Sequence, residues 1–346
     1  MPAALPSATR EIRLAATPKG LPGPEHFAVV AQPLTAPGPG QVVVRNHCFL
    51  VFPGLRTLIG GEVEGVPLPP IHAGDVLFGP AVGEVVTAGP GSRLRPGDAV
   101  THLLGWREYA LLPADQCSPI GDVLPTPVAH LASGAAAYGA LTRLAGLRPG
   151  DTVFVTGAAG AVGTLAGPVA RLLGAGRVIG STRSPGKADR LLSDLGYDAV
   201  AVPGSPSGTL VEQLRRAAPG GIDVVVDTVG GEQLTAALAA ARRGARFALV
   251  GALSGQLSPA RGGGSAPVDI DTYRVITQGI TLRGYSGTDH PEVADEWATR
   301  FGDWLRSGEI SFPHVRIPGI ERAPQALQEL FEGRHFGTVV VELPHQ

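Results

Sequence analysis

Cysteine, lysine and long apolar runs are scarce in this chain of 346 residues. The two cysteines, Cys48 and Cys117, lie far apart in no paired motif, which argues against a disulfide framework and a cysteine-rich zinc lobe. No stretch approaches the roughly 18 apolar residues of a membrane span, and the N-terminus has no basic segment followed by an apolar run. These absences predict a cytoplasmic protein that does not enter a membrane.

Runs of like charge are also missing. The formal net charge is −2, from 28 basic and 30 acidic residues, and hydrophobic residues make up 44% of the chain. Without a basic patch, the sequence gives no indication of binding to nucleic acid or to a membrane surface. The length predicts roughly two folded domains, on a guide of about 150 residues each.

Short strand patterns separated by Gly and Pro fill the first 125 residues. The clearest of them lie at 40–51, 81–89 and 107–113. Two further short strands, around "HVRIPG" and "GTVVVELP", follow near the end of the chain, after an amphipathic helix. We therefore predict one β-rich domain built from residues 1–125 and 290–346.

The pattern between residues 126 and 289 is different, because short apolar strands alternate with helical segments. After a helix predicted over 127–146, the strands are "DTVFVTG", "GRVIGSTR", "DAVAVPG", "IDVVVDTVGG", "ARFALVGAL" and "ITLRGYS". Near-continuous apolar runs are typical of strands buried on both faces, and alternation with helices predicts a doubly wound parallel sheet. The predicted fold class is therefore α/β, with the sheet domain inserted into the β-rich one.

One Gly-rich stretch, "SGQLSPARGGGSAPVD" at 254–269, follows a predicted strand. Ligands of such sheets bind at the carboxyl ends of the strands. Two interpretations stay open for this stretch: a disordered surface loop, or a lid that closes over a ligand.

The segment "VTGAAGAVG", residues 155–163, resembles the dinucleotide-binding turn between a strand and a helix. Counted back from Gly163, its pattern has alanine where the first glycine is usual. The second glycine lets the backbone approach a pyrophosphate, the third lets the helix pack closely, and the helix amides face the phosphates. The strand and helix on either side favour dinucleotide binding over a purely structural turn. The predicted cofactor residues here are Gly157, Ala158, Gly160, Ala161, Val162 and Gly163.

The end of the second strand indicates which dinucleotide binds. An NAD site has Asp or Glu about 20 residues after the turn. The corresponding segment, "GSTRSPGK" at 180–187, has no acid and offers hydroxyls and two cations, which suit a 2′-phosphate. The alternative is that the cations only solvate the start of a helix. We predict NADPH/NADP as the cofactor, held here by Ser181, Thr182, Arg183 and Lys187.

These segments, together with "GEVVTAGPGSRLRPGDAV", "DTVGG" and "GALS", resemble the medium-chain dehydrogenase/reductase superfamily over almost the whole chain. The resemblance is to its zinc-independent branch of leukotriene/prostaglandin reductases, plant double-bond reductases and quinone oxidoreductases. It implies a GroES-like β-rich domain, a Rossmann domain, a homodimer and a small-molecule substrate, with hydride passing from NADPH to an activated C=C bond. It also implies that the Lys of "SPGK" contacts the 2′-phosphate. Further cofactor contacts implied by the resemblance are Thr228, Gly251, Ala252, Leu253 and Tyr285.

Two other chemistries are disfavoured. Zinc alcohol dehydrogenases share the superfamily, but a catalytic zinc needs about three Cys, His or carboxylate ligands, and the expected Gly-His-Glu element is "LFGPA" here. A serine hydrolase is disfavoured because the sequence has no GxSxG nucleophile elbow. We therefore predict no metal.

Reduction of a conjugated carbonyl without metal places negative charge on the carbonyl oxygen. The site then needs a hydrogen-bond donor at that oxygen and a proton source for the α-carbon. The resemblance implies that this donor is a tyrosine or the ribose hydroxyl of the cofactor. Tyr273 and Tyr285 are the catalytic residues that it implies, and packing is the alternative role of Tyr285. The predicted substrate contacts are Phe52, Trp106, Tyr138 and Tyr273, and ordinary packing is the alternative for Trp106.

The segments expected to contact the substrate and the nicotinamide depart from the family pattern. The "VDPYMR" of prostaglandin reductases is "VFPGLR" at 51–56, so its acid and its tyrosine are absent. Ala136 stands where a family threonine touches the nicotinamide. We predict NADPH-dependent reduction of an enone, enal or enoyl thioester, on a substrate unusual for the family. The alternatives are a quinone oxidoreductase and a non-redox protein, such as a cyclase, that holds NADP(H).

Overall fold

The structure, a computed structural model, describes residues 5–61, 64–66, 68–260 and 262–344. The chain divides into two compact units. The first comprises Met1–Leu131, Ser258–Gly264 and His314–Gln346, and the second comprises Ala132–Leu257 and Ser265–Pro313. Residues 1–4 and 345–346 of the predicted β-rich domain lie outside the described residues.

Strands are the main regular elements of the first unit and form the centre of the second. Their bounds are β1 (Ala8–Leu14), β2 (Phe27–Pro33), β3 (Gln41–Val51), β4 (Ala81–Ala88), β5 (Ala99–His102), β6 (Tyr109–Pro113), β7 (Ser118–Pro119), β8 (Thr152–Val155), β9 (Arg177–Ser181), β10 (Ala199–Ala201), β11 (Ile222–Asp227), β12 (Ala241–Leu249), β13 (Thr281–Gly284), β14 (His314–Pro318) and β15 (Thr338–Glu342).

Most helices belong to the second unit. Their bounds are α1 (Leu55–Ile59), α2 (Gly134–Gly139), α3 (Gly163–Leu172), α4 (Pro185–Leu195), α5 (Leu210–Ala217), α6 (Gly231–Ala240), α7 (Leu253–Gln256), α8 (Thr272–Gln278), α9 (Glu292–Ser307) and α10 (Ala323–Phe331). Short 3₁₀-helices lie at Pro24–His26, Ala114–Gln116, Pro127–Leu131, Gly287–Asp289 and Ile320–Arg322. No helix of the described residues is long and apolar enough to cross a membrane.

The first unit is built around β3. Its large sheet has the strand order β14-β15-β3-β4-β5-β7, with β6 also paired to β3, and β1 and β2 form a separate antiparallel pair. Inward-facing valines at 42, 44 and 85 pack with Leu112 in its core. This arrangement confirms that the N-terminal part of the chain is β-rich.

The second unit contains six parallel strands in the order β10-β9-β8-β11-β12-β13. The central strands β8 and β11 are almost entirely buried, which explains their apolar runs at 153–155 and 224–226. Helices connect successive strands, so the predicted doubly wound sheet is confirmed.

Two sequence predictions in this unit differ from the structure. The helix predicted over 127–146 is divided into a 3₁₀-helix, α2 and a π-helical turn at Ala140–Leu144. The last stretch of the first unit begins at His314 rather than at 290, because α9 belongs to the sheet domain. Trp297 and Phe301 of α9 are buried and stack with 4.4 Å between ring centroids, and Gly134 leaves the space for the Trp297 ring.

The Gly-rich stretch at 254–269 begins as α7 and then runs against α1. The Arg56 guanidinium donates a hydrogen bond to the carbonyl oxygen of Gly262 at 3.0 Å, and the Thr57 hydroxyl donates to that of Gly263 at 2.9 Å. A side chain on Gly60 would overlap the carbonyl of Gly262. The described part of the stretch is therefore anchored in its middle rather than free along its length.

Candidate dinucleotide site

The carboxyl ends of the parallel strands bring the predicted cofactor segments to one edge of the sheet. Strand register aligns Gly180, Val155, Val226, Ala248 and Arg283 in one row across β9, β8, β11, β12 and β13. The segments that follow this row begin at 181, 156, 227, 249 and 284. Ligands of open α/β sheets bind at this edge, and we call it the cofactor edge.

The turn between β8 and α3 needs its glycines for two different reasons. Gly157 has φ +59°, a conformation that side chains disfavour. A Cβ added to Gly163 would lie only 2.5 Å from the Cα of Ala158, so α3 begins too close to the turn for any side chain there. This close packing is the role that the fingerprint gives its third glycine.

The outer side of the same turn is open. Gly160 is exposed, and a Cβ added to it would meet only the Gly157 carbonyl oxygen, at 3.3 Å. Ala161 and Val162 are half-buried and directly precede α3. Because the first amides of a helix have no acceptor within it, this turn can present N–H groups to an anion.

Ala158 is accommodated because the neighbouring strand carries glycine opposite it. Ala158 is fully buried, and a Cβ added to Gly180 would lie 2.8 Å from its methyl carbon. The same Cβ would lie 2.9 Å from the Tyr197 ring. Alanine therefore replaces the first glycine of the fingerprint without distorting the turn, since Gly180 supplies the space for its methyl group.

Tyr197, which the sequence analysis did not single out, holds the start of α3. Its hydroxyl donates a hydrogen bond to the carbonyl oxygen of Gly163 at 2.7 Å. A side chain on Gly167, one helical turn later, would overlap the tyrosine ring. Burial raises the pKa of Tyr197, which keeps the hydroxyl a donor. Glycines four residues apart in α3 were the signal in the sequence for such a close neighbour.

A buried hydrogen-bond network joins the ends of β8 and β11. The Thr156 hydroxyl donates to Asp227 Oδ1 at 2.7 Å and accepts from the Thr228 N–H at 2.8 Å. The Asp227 carboxylate also accepts from the N–H groups of Val229 and Gly230. Burial raises the pKa of Asp227, and these hydrogen bonds oppose that shift. The Thr228 hydroxyl donates to the Thr156 carbonyl at 2.8 Å, so its proton is already used within the protein.

Ser181 faces the protein interior. Its hydroxyl accepts a hydrogen bond from the Gly157 N–H at 3.2 Å and donates to Gln233 Oε1 of α6 at 2.5 Å. The hydroxyl therefore makes both hydrogen bonds within the protein, and Ser181 positions the turn. Gln233 was missed by the sequence analysis, because nothing in the sequence shows which strand it approaches.

The predicted phosphate-binding cations lie at the start of α4. The Ser184 hydroxyl caps this helix by accepting from the Lys187 N–H, and the Thr182 hydroxyl accepts from the Ser184 N–H at 3.4 Å. Burial lowers the pKa of Lys187, and the charges of Arg183 and Arg190 lower it further. Arg183 and Arg190 thus disfavour the charged form of Lys187, and a bound phosphate would favour it.

The segment after β12 is bonded to the segment after β11. The Gly251 N–H donates to the Asp227 carbonyl at 3.1 Å, and the Leu253 N–H donates to the Thr228 carbonyl at 3.2 Å. A Cβ on Gly251 would lie 2.9 Å from the Thr228 carbonyl oxygen. The exposed Gly251 and Ala252 therefore lie beside the Asp227–Thr228 segment on the cofactor edge.

Tyr285 lies at the end of β13 on the same edge. Its N–H donates to the Leu249 carbonyl at 2.9 Å, and its ring stacks on His290 with 6.0 Å between centroids. Gly139 of α2 leaves space for its hydroxyl. Burial and then the charge of Glu292 raise the pKa of Tyr285, so the hydroxyl keeps the proton that a donor needs.

The other two tyrosines named from the sequence have different surroundings. Tyr138 is buried, and its hydroxyl donates to Glu296 at 3.3 Å beside the Trp297 ring, so its contacts join α2 to α9. Tyr273 lies in the first turn of α8 with 75% of its surface exposed. Of the two predicted catalytic tyrosines, the structure brings Tyr285 to the cofactor edge.

Phe52 and Trp106 are neighbours in the first unit. A Cβ added to Gly79 would lie 2.9 Å from Phe52 Cε1 and 3.6 Å from Trp106 Nε1. Trp106 is fully buried and packs on Phe49 with 5.2 Å between ring centroids, whereas Phe52 is half-buried. The two substrate contacts predicted for the β-rich domain therefore belong to one aromatic cluster.

Comparison with known proteins supports the same class. Family models described as "Zinc-binding dehydrogenase" and "N-terminal domain of oxidoreductase" match residues 161–304 and 10–120. The chain is 28% identical to the NADPH-dependent curcumin reductase of Escherichia coli, and the alignment covers 95% of each chain. It is 30% identical to the 2-alkenal reductase (NADP(+)-dependent) of Nicotiana tabacum, over 88% of each chain. The crystal structure of CurA from Vibrio vulnificus in complex with NADPH superimposes with a TM-score of 0.87 at 27% identity, covering 97% of this chain and 100% of that one.

The fold and its glycine-lined edge define a dinucleotide-dependent oxidoreductase. The chain belongs to the medium-chain dehydrogenase/reductase superfamily, and its homologues there include NADP-dependent reductases of C=C bonds. The family expected from the sequence is thus confirmed. Although one family model is described by zinc binding, the described residues contain no group of three or more His, Cys, Asp or Glu side chains that could hold a metal ion.

Proposed function

We propose that the protein is an NADPH-dependent reductase of activated C=C bonds in enones, enals or enoyl thioesters. The observation that carries the proposal is the turn at 157–163 together with the segment at 180–187, which has no acid and carries Arg183 and Lys187. The homologues support it, because 2-alkenals and curcumin both contain a C=C bond conjugated to a carbonyl group.

Several segments along the cofactor edge contribute to NADPH binding. The open Gly160 turn and the first amides of α3 bind the pyrophosphate. Arg183 and Lys187 pair with the 2′-phosphate, which their mutual repulsion favours. Gly251, Ala252 and Leu253 line the edge beyond Thr228. When bound, NADPH supplies the hydride.

The reaction adds hydride to the β-carbon of the substrate and a proton to its α-carbon. Negative charge develops on the carbonyl oxygen before that proton arrives, so a donor at this oxygen lowers the barrier. Tyr285 is the proposed donor, because it keeps its proton and lies on the cofactor edge. Tyr273 remains a second prediction, and its exposure makes it the weaker one.

The test mixes purified protein with NADPH and a panel of enones and quinones, and follows the absorbance of the reduced cofactor. We expect oxidation that depends on the enone. Tight NADPH binding without oxidation by any compound would overturn the proposal. Quinones reduced much faster than enones would indicate a quinone oxidoreductase, and product formation without net cofactor consumption would indicate a non-redox protein.

We further infer that the enzyme is a cytoplasmic homodimer. β13 is an edge strand, and the segment leading into it exposes Ile270, Tyr273 and Ile276. A free strand edge beside apolar side chains is a surface that self-association covers. The free, buried thiols of Cys48 and Cys117 suit a reducing compartment. Light scattering should give a dimer for the wild type and a monomer for Ile276→Asp, whereas a wild-type monomer would contradict the inference.

A further inference from the structure

We propose that Gln233 of α6 binds the adenosine ribose of NADPH through its side-chain amide N–H, and that it is a residue that determines cofactor specificity. The inference rests on the proposed function. It adds to that function a contact from outside the turn at 157–163 and the segment at 180–187. All of the residues that carry it belong to the second unit.

The Gln233 side chain reaches across the end of β8. Its carbonyl oxygen Oε1 accepts a hydrogen bond from the hydroxyl of Ser181, the last residue of β9, at 2.5 Å. Gln233 itself lies in the first turn of α6, which follows β11. Because β8 lies between β9 and β11 in the sheet, this hydrogen bond joins the two sides of the dinucleotide turn.

The strand pattern explains why Ser181 meets α6. Residues two apart in a strand point to the same face of the sheet. Ile179, two residues before Ser181, packs in one cluster with Leu234 of α6. Ser181 therefore points to the face that α6 covers, and Gln233, next to Leu234, is the polar side chain that α6 brings to the end of β9.

The end of β8 is also where a doubly wound sheet binds its ligand. β9 and β10 lie on one side of β8, and β11, β12 and β13 lie on the other, so the strand order reverses there. Ligands bind in the crevice at such a reversal, and in NAD sites a carboxylate after the second strand accepts hydrogen bonds from the ribose. That second strand is β9 here, and Gln233 approaches its end from α6.

The hydrogen bonds of Ser181 determine which part of the Gln233 amide is left for a ligand. Ser181 Oγ accepts from the Gly157 N–H at 3.2 Å, so its own proton goes to Gln233 Oε1. The amide nitrogen Nε2 carries two N–H donors, and no acceptor for them lies among the described residues. Gln233 is half-buried, so its side chain is not enclosed by the protein. A ribose oxygen in the crevice is an acceptor of the kind that this group lacks.

An amide at this position suits NADPH for an electrostatic reason. A carboxylate would accept a hydrogen bond from the free 2′-hydroxyl of NADH, and it would repel the 2′-phosphate of NADPH. The amide of Gln233 carries no charge, and it donates to ribose oxygens that both cofactors have. It therefore adds affinity without opposing the attraction of Arg183 and Lys187 for the phosphate.

The first test is calorimetric titration of the wild type and of Gln233→Glu with NADPH and with NADH. Glutamate keeps an acceptor for Ser181 and is favoured in the first turn of a helix, so the fold is retained. The variant loses the N–H donors and adds a negative charge. We expect the ratio of NADPH affinity to NADH affinity to fall by on the order of tenfold to a hundredfold. An unchanged ratio would overturn the inference.

Two further variants separate charge from the loss of the hydrogen bond. Gln233→Leu removes the donors without adding a charge, so it should weaken both cofactors by a similar factor of about twofold to tenfold. Gln116→Glu makes the same exchange at an exposed position of the first unit, and it should leave both affinities unchanged. Wild-type affinity for both cofactors in Gln233→Leu would contradict a direct contact.

The second test assigns the effect to the adenosine half of the cofactor. Adenosine 2′,5′-bisphosphate and AMP contain the same ribose and differ in the 2′-phosphate, so Gln233→Glu should lower the ratio of their affinities as well. A shift seen with the whole cofactors alone would place the contact elsewhere and refute the inference. Neither test needs turnover. A wild type that binds NADPH and reduces no enone would therefore contradict the proposed function, while these titrations would still decide the role of Gln233.

Discussion

The methyl group of Ala158 occupies space that exists because residue 180 is glycine, whose added Cβ would lie 2.8 Å from it. Gly180 lies in β9, and Ala158 lies in the turn that follows the adjacent strand β8. The missing side chain of Gly180 leaves the space that the Ala158 methyl group fills. The usual fingerprint has a glycine at the first of these positions. The glycine on the neighbouring strand therefore compensates for the alanine in the turn, and the turn keeps its conformation.

Gly180→Ala should accordingly destabilise the protein by about 1–3 kcal/mol through overpacking. Ala158→Gly should relieve part of that loss in the double variant, and the Tyr197 ring accounts for the remainder. Denaturant unfolding of the four proteins of this cycle measures the coupling. Gly186→Ala, whose added Cβ meets no atom within 4 Å, is the matched control. Strictly additive changes would show that the two positions do not share space.

Tyr197→Phe should destabilise the protein by about 1–2 kcal/mol, because the Gly163 carbonyl loses its buried donor. It should also weaken NADPH binding, since Gly163 begins the helix that we propose faces the pyrophosphate. Thermal unfolding and a fluorescence titration measure the two effects. Tyr273→Phe, which alters an exposed hydroxyl, should leave stability unchanged. Wild-type stability in Tyr197→Phe would exclude the anchoring role.

Replacing Arg183 and Lys187 together with Ala should weaken NADPH binding by roughly 2–4 kcal/mol, on the scale of charge-assisted hydrogen bonds. NADH binding should hardly change, because NADH lacks the 2′-phosphate. Calorimetric titration with each cofactor measures the difference, and Lys19→Ala controls for the loss of a lysine elsewhere. Equal losses for both cofactors would show that other residues recognise the phosphate.

The affinity for NADPH should fall at alkaline pH. The proposed contact of Lys187 with the phosphate needs a protonated amine, and in the free enzyme burial and neighbouring cations lower the pKa of Lys187 from the usual 10.5. Bound phosphate raises that pKa, so affinity is full below the free-enzyme pKa and declines as the pH rises through it. Titrations up to pH 10.5, the usual pKa of lysine, should show the decline for NADPH and not for NADH. Lys187→Arg should remove it, because arginine stays protonated. A decline of the same size in Lys187→Arg would assign it to another group.

The sequence predicted the parts of the molecule that depend on local pattern. Apolar runs and their spacing indicated the parallel sheet, and the glycines at 157, 160 and 163 indicated the turn. The segment at 180–187, which has no acid, indicated a cationic site, and the charge of Arg183 does act on Lys187 there. Each strand, the turn and the cation segment is recognisable within about twenty residues of chain.

The remaining features depend on contacts that are distant in sequence. Ser181 was predicted to face the cofactor, but its direction is set by Gly157 and by Gln233, a residue 52 positions away. The boundary at 290 was wrong because the amphipathic pattern of α9 does not show which unit covers its apolar face. The Phe52 ring lies beside Gly79, a residue 27 positions away, and no local pattern shows that approach.

The most direct measurement of the proposed reaction uses NADPH carrying deuterium at both C4 positions of the nicotinamide, with pent-3-en-2-one in ordinary water. Mass spectrometry and NMR of the product locate the label. We predict pentan-2-one with one deuterium on C4, the former β-carbon. Pent-3-en-2-ol with deuterium on its carbinol carbon, or a saturated ketone without label, would contradict the proposed reaction.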